Sequence, residues 1–267
     1  MPVTRALPGW ATGLIGVAVV VAFWWIGALT IFQNTGSVPG GAIPTPAAVI
    51  GQFLNDGIGF YLPHILRTIT EAGIGFLWGN GLALLLAALV LVMPRIEKIA
   101  LQIAVITYCV PIVAIGPIAY IVIGPPRDDP SGTAIFLAAL SVFFTTVVGS
   151  LVGLKAADQA SLDVVSVYGG SKFTQLRKVR LIAGLPSVLN ALQIAAPAAL
   201  LGAILGEYFG GAERGLGLAM LAAGNAANVE RVWSLALVAG LLAGLGYLLF
   251  AVVSRFLTPW TTGRSSS

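Results

Sequence analysis

The chain has 267 residues, of which 58% are apolar and only 9% charged, far below the quarter that a soluble domain usually carries. So little charge cannot cover a water-facing surface, so lipid must be the solvent for much of the molecule. The net charge is +4, and the single histidine and single cysteine exclude a His-based metal cluster, zinc-type Cys/His spacing and an intrachain disulfide.

A helix needs about 20 apolar residues to cross a hydrocarbon core about 30 Å thick, and only helices or closed barrels satisfy their backbone groups there. The apolar runs here are helix-length and lack strict alternation, which predicts an all-α, polytopic membrane helix bundle. It reads as a single transmembrane domain over 1–267, with about six spans near 10–32, 68–93, 99–123, 132–154, 186–209 and 232–257. The first stretch, Trp10 to Phe32, is too long for a signal-peptide core, and no clear small-x-small cleavage site follows. Next, Thr45-Pro46 reads as a cap with proline in the first helical position. Val49, Ile50, Phe53 and Leu54 then recur at helical spacing. This predicts a short amphipathic helix on the outer membrane face, against the alternative of an irregular loop.

Further along, Gly75 and Gly79, Gly202 and Gly206, and Gly240 and Gly244 stand four residues apart, a spacing that lets helices approach closely in lipid. Glu71 and Glu207 are ionisable groups inside spans, where charge is costly. Each faces a solute pathway or gate, or merely reaches the interface. Pro111 and Pro117 lie inside the third span. They either open a cavity, with Thr107 and Tyr108 beside Pro111, or kink the helix for packing alone. Cys109 sits in the same apolar run as a small packing residue. The proline-rich, charged Gly124–Ser131 stretch reads as a turn.

Charge placement sets the topology. With the N-terminus inside, inner loops hold Arg5, Arg95, Lys98, Lys155, Lys172, Arg177, Lys178, Arg180, Arg255 and Arg264. Outer segments hold Arg127, Arg214 and Arg231, with Arg67 near the outer edge of span two, and the acids Asp56, Asp128, Asp129, Glu213 and Glu230. Most basic residues therefore fall inside, with both termini cytoplasmic. The basic balance is topological and argues against nucleic acid.

Residues 155–185 form the longest polar stretch. Ser161 to Tyr168 reads as a helix, and Gly169-Gly170 allows a sharp reversal through positive φ. Ser171 caps a second helix, in which Phe173, Leu176, Val179 and Ile182 make one apolar stripe. Pro186 marks the start of span five. Such an elbow either docks on a cytosolic partner or is a solvated linker held to lipid headgroups by its basic residues.

The segment DVVSVYGGSKFTQLRKVRLIAGLPSVLNALQIA resembles the so-called EAA loop of bacterial binding-protein-dependent ABC importer permeases. The group most resembled imports nitrate, sulfonates, taurine, bicarbonate and thiamine precursors. Asp163, Val164 and Val165 stand at the Glu-Ala-Ala positions, Gly169 stands at the glycine, and Leu185-Pro186 matches a Leu-Pro pair. The resemblance extends along nearly the whole chain: Ile43-Pro44-Thr45-Pro46, His64, Thr68, Gly75 and Phe76, then Pro111, Pro117 and Gly124, Glu207 with Gly215-Leu216-Gly217, and Trp260. The chain departs from the pattern at Asp163-Val164-Val165, at Ile182 in place of proline, and at Thr145.

The resemblance implies a type I ABC importer permease fold in a bacterial inner (plasma) membrane. It implies coupling to two cytosolic ATPase subunits through Asp163, Val164, Val165, Gly169, Gly170, Ser171, Lys172, Phe173, Leu185 and Pro186. It also implies a second permease copy or paralogue, an outer solute-binding protein, and a path for a small polar or anionic solute. The chain carries no G-x-x-x-x-G-K-[ST] phosphate loop. ATP and Mg²⁺ are thus expected on partner subunits, with no cofactor and no catalytic role in this chain. A secondary transporter or channel working without ATP is the alternative reading.

Overall fold

The structure is a computed structural model describing residues 8–33, 35, 41–126, 130–210 and 213–260. Arg5, Arg127, Asp128, Asp129 and Arg264, used in the topological reading, lie outside them. Among the described residues the chain is helical, without strands. It runs through α1 (Gly9–Thr30), α2 (Pro46–Asp56), α3 (Ile58–Val92), a 3-10 turn (Pro94–Ile96), α4 (Glu97–Cys109), α5 (Ile112–Ile123) and α6 (Gly132–Lys155). Then come α7 (Gln159–Val167), α8 (Lys172–Gln175), a π-helical turn (Leu176–Arg180), α9 (Leu181–Phe209), α10 (Leu216–Asn225) and α11 (Val229–Leu257). Five helices among the described residues are long and apolar enough to cross a membrane, or six counting α4 with α5 as one span. The predicted all-α membrane bundle is what is found.

Three predicted elements differ. The third span, expected at 99–123, is broken: α4 and α5 meet at a bend of 95°. Pro111 has no N–H to continue α4, and its ring clashes with the preceding turn. Pro117, by contrast, is absorbed inside α5. Second, Pro186 does not open a separate span. The helix runs on from Lys172 to Phe209, with Pro186 and Pro197 both inside it. Third, the expected stripe splits across two faces: Leu176 is buried, while Phe173 and Ile182 are exposed. Positions three apart drift about 60° per step round an α-helix, and the π-helical turn over Leu176–Arg180 adds a further shift of register before Ile182.

The chain resolves into two compact units. One holds Met1–Tyr61 and Ala219–Leu237. In it, Thr45 Oγ1 accepts from Ala48 N at 3.3 Å and Pro46 opens α2, as the sequence predicts. Trp24 stacks on Trp233 at 5.5 Å, and each indole donates to a backbone carbonyl, Trp24 to Pro44 at 3.0 Å and Trp233 to Ala42 at 3.2 Å. Asp56 accepts from Gln52, Tyr61 and two guanidinium nitrogens of Arg231, Nε and Nη2. That forked pair fastens α2 to the start of α11.

The other unit holds Leu62–Leu218 and Val238–Ser267. Its centre is α6, whose broadest packing is against α9, with α4 and α5 also against it. Lipid gives helices no hydrophobic reason to associate, so close backbone approach decides. A Cβ at Gly75 or Gly79 would overlap Ala138 or Ala139 of α6, and one at Gly202 or Gly206 would overlap Ser141 or Ala134. Two of the three predicted glycine pairs thus seat α3 and α9 on adjoining faces of α6, both against Ala138. The third pair, Gly240 and Gly244, meets nothing within 4 Å. Buried alanines and valines of α3, α4 and α6 (Ala83, Ala87, Val90, Ala100, Ala104, Val147) fill the core beside α6. Thr146 donates to Asn80 inside it, and Lys155 pairs with Glu97 at its edge.

Candidate functional site

Three places carry the polar or exposed chemistry of the larger unit: the elbow, the broken helix and a buried clasp.

At the elbow, Asp158 caps α7 by accepting from Ser161 N at 3.1 Å. Ser171 caps α8 by accepting from Thr174 N at 3.3 Å. Between them Gly169 takes φ +75°, a region open to glycine at little cost. Gly170 N donates to Val165 O at 2.8 Å, and a Cβ on Gly170 would overlap Val165 Cγ1 and lie 2.8 Å from that same carbonyl. Gln175 reaches back across the turn to Leu162 O at 3.1 Å and Ser166 Oγ at 2.8 Å. Leu162 and Leu176 are buried beneath. Arg180 donates to Leu154 O at 3.2 Å, a cation at the C-terminal end of α6. The elbow is therefore an ordered, internally bonded turn.

Its tip is greasy. Val167 is 84% exposed, Tyr168 87% and Phe173 63%, with Val164 beside them. Asp163 accepts from Gln159 at 2.9 Å and is exposed, as are Lys172, Arg177 and Lys178. Of the residues grouped as coupling candidates, Asp163 to Phe173 are brought together here. Leu185 and Pro186 are not. They lie further along α9, where Leu185 lines a separate apolar cleft with Leu84, Leu181 and Trp260.

At the broken helix, Thr107, Tyr108, Pro111 and Ile112 line a cleft of about 360 Å³ with Leu140 and Ser141 of α6 and Ala198, Leu201 and Leu205 of α9. Non-helical backbone at membrane depth is tolerated where protein buries it or a cavity takes it up. Tyr108 stacks on Phe144 at 4.6 Å.

Glu71 and Glu207, grouped with these residues in the sequence reading, stand elsewhere. Both are buried, at 0% and 1% exposure, and neither lines that cleft. His64, Thr68 and Glu71 follow one another at i, i+4 and i+7 along one face of α3. The first two receive successive backbone donors, and the third donor of that run goes to Glu207. Gly215 N donates to His64 Nδ1 at 3.1 Å and Leu216 N to Thr68 Oγ1 at 2.9 Å. Gly217 N donates to Glu207 Oε2 at 2.6 Å, and the Thr68 hydroxyl donates to Glu207 Oε1. Ser131 N, opening α6, donates to Glu71 Oε1 at 2.8 Å. Each acid thus sits where a helix begins, α6 for Glu71 and α10 for Glu207, and there the backbone dipoles favour negative charge. A Cβ on Gly215 would overlap the Glu207 carboxylate, and one on Gly217 would overlap Ile204 O and crowd Glu207. Sequence reasoning singled out both acids but missed what His64 and Thr68 do. The signal was present: three polar residues at one-face spacing in an apolar helix.

Residues 79–263 match the family described as the binding-protein-dependent transport system inner membrane component. The chain belongs to this family. It is 30% identical to a probable ABC transporter permease protein of Haemophilus influenzae over 84% of this chain and 87% of that one. It is 27% identical to a putative aliphatic sulfonates transport permease protein of Bacillus subtilis over 92% of this chain and 82% of that one. In fold it is similar to a chain of the inward-facing MetNI methionine ABC transporter, at a TM-score of 0.62 and 16% identity, covering 76% of this chain and 99% of that one. The chain is thus an integral inner membrane component of a transport system.

Proposed function

We propose that this chain is the membrane-spanning subunit of an ATP-driven importer, and that its elbow docks on a cytosolic ATPase subunit. The observation that carries this reading is the exposed cluster Val164, Val167, Tyr168 and Phe173 on a turn fixed by its own hydrogen bonds. An apolar patch on a polar, ordered segment marks an interaction surface, and the basic residues around it suit a partner with an acidic rim. Two ATPase subunits hold ATP and Mg²⁺. A second permease, identical or paralogous, completes the pathway, and an outer binding protein delivers the solute. Both termini face the cytoplasm.

In this reading the cleft at Thr107, Tyr108 and Pro111 lies on the translocation path. The hydroxyls of Thr107, Tyr108 and Ser141 are its polar groups, suited to a small polar or anionic solute. Co-purification in mild detergent, with ATPase activity assayed on what is recovered, tests the proposal. Recovery of an ATPase subunit that is lost when Tyr168 and Phe173 are replaced by serine supports it. A protein that purifies alone and moves solute into liposomes without ATP refutes it.

A further inference from the structure

Glu71 and Glu207 are neighbours, since Thr68, one turn before Glu71 on α3, donates to Glu207, although both are acids and both are buried. Their oxygens can be accounted for one at a time. Both oxygens of Glu207 accept, one from Gly217 N and one from the Thr68 hydroxyl. Glu71 Oε1 accepts from Ser131 N, with Arg67 Nε 3.9 Å away. Glu71 Oε2 is sealed from solvent and has no donor among the described residues. An ionised carboxylate only accepts, whereas a protonated one donates from a single oxygen. A sealed oxygen without a donor, beside a carboxylate whose two oxygens each accept one bond and keep a lone pair to spare, fits the donating oxygen of a protonated acid. Two neighbouring negative charges away from water would repel, and such pairs share one proton.

We infer that Glu71 and Glu207 form a proton-binding site, with the proton carried on Glu71 Oε2 and donated to Glu207. This proton holds the clasp on Gly215–Gly217 closed. Its loss leaves two facing carboxylates, and Gly217 N is released as they separate.

The surrounding charged and titratable groups are few. Arg67 and His64 lie on α3, Tyr208 lies next to Glu207 on α9, and Arg214 precedes the clasped segment. His64 accepts at Nδ1, which requires the neutral ring, so Arg67 is the nearest cation to the pair. The site belongs to the fold of this chain and does not depend on the ATPase reading.

Infrared spectroscopy and hydrogen exchange of the purified full-length protein in nanodiscs test it. The expected result is a protonated-carboxyl C=O band at neutral pH that is lost in Glu71→Gln. Amide protection at 215–217 should fall as pH rises in the wild type and stay constant in Glu71→Gln, whose amide N–H₂ replaces the donor. Absence of the band from wild type at neutral pH overturns the proposal. So does a band that survives Glu71→Gln, or wild-type protection at 215–217 that is independent of pH. The wild-type spectrum needs no variant to fold, so the inference stays open to refutation on that measurement alone.

Discussion

Consider substituting the two elbow glycines separately. Gly169 has φ +75° but open space around its missing Cβ. Alanine there meets only the backbone cost of a left-handed residue, about 1–2 kcal/mol. Asparagine, which tolerates that region, costs less. Gly170 has no such φ, yet its Cβ would overlap Val165 Cγ1 and crowd Val165 O at 2.8 Å. Truncating Val165 relieves the first contact but not the carbonyl, so the turn itself has to open. The expected order of damage is therefore G169N least, G169A intermediate, and G170A greatest, with V165A/G170A recovering only part of the loss. An intermediate cost of about 1.4 kcal/mol corresponds to tenfold in the equilibrium between competent and distorted elbow. The assay is solute-stimulated ATPase activity of the reconstituted complex, with thermal stability measured alongside. Full coupling in G170A, or equal loss in G169N and G169A, would refute the argument that turn geometry sets coupling.

Other outcomes follow from other contacts. Gly206→Ala forces a methyl against the backbone of Ala134 and Thr133, whereas Gly240→Ala meets nothing. Overpacking costs about 1–3 kcal/mol, so thermal unfolding in detergent should drop for the first variant and not for the second. Thr68→Val removes the Glu207 hydrogen bond and leaves Leu216 N unpaired in a buried site. The cost should be about 1–3 kcal/mol, seen as faster exchange at 215–217. The hydrogen-bonded Arg231 guanidinium holds the Asp56 carboxyl below the usual carboxylate range, against a contrary push from burial. Its stabilisation is thus complete above the ordinary Asp range and lost as pH falls through the folded value. Acid unfolding curves of Asp56→Asn should be flatter than wild type below about pH 4. Tyr108→Ala opens the cleft beside Pro111 and should raise the KM for uptake more than it lowers thermal stability.

Helix positions were legible because each rests on a run of apolar residues long enough to read. Thr45-Pro46 and Ser171 were legible because capping is local chemistry. The break at Pro111 was half legible: proline announces a kink, but its angle depends on what α6 and α9 place around it. The continuity through Pro186 was hidden, since a proline inside a long, well-packed helix costs less than a new chain end would. The clasp was hidden for another reason. Its donors are backbone N–H groups of Gly215, Leu216 and Gly217, and the one-face spacing of His64, Thr68 and Glu71 marks a polar face without recording which backbone groups will meet it.

The unbroken helix from Lys172 to Phe209 has a mechanical consequence. Its 38 residues give a contour of about 57 Å at 1.5 Å per residue. One end carries the exposed elbow. The other carries Glu207 and Phe209, whose ring lies against Gly116 of α5 so closely that a Cβ there would overlap it. The glycine seam at Gly202 and Gly206 presses the shaft onto α6 near its far third, as a fulcrum does. A load applied at Phe173 therefore meets no slack linker before it reaches the clasp. The only compliant points are the π-helical turn and the two prolines, each lacking one rung of the helical ladder. Stiffening them, for instance with Pro186→Ala, would change how far the remote end moves for a given push, without touching either end.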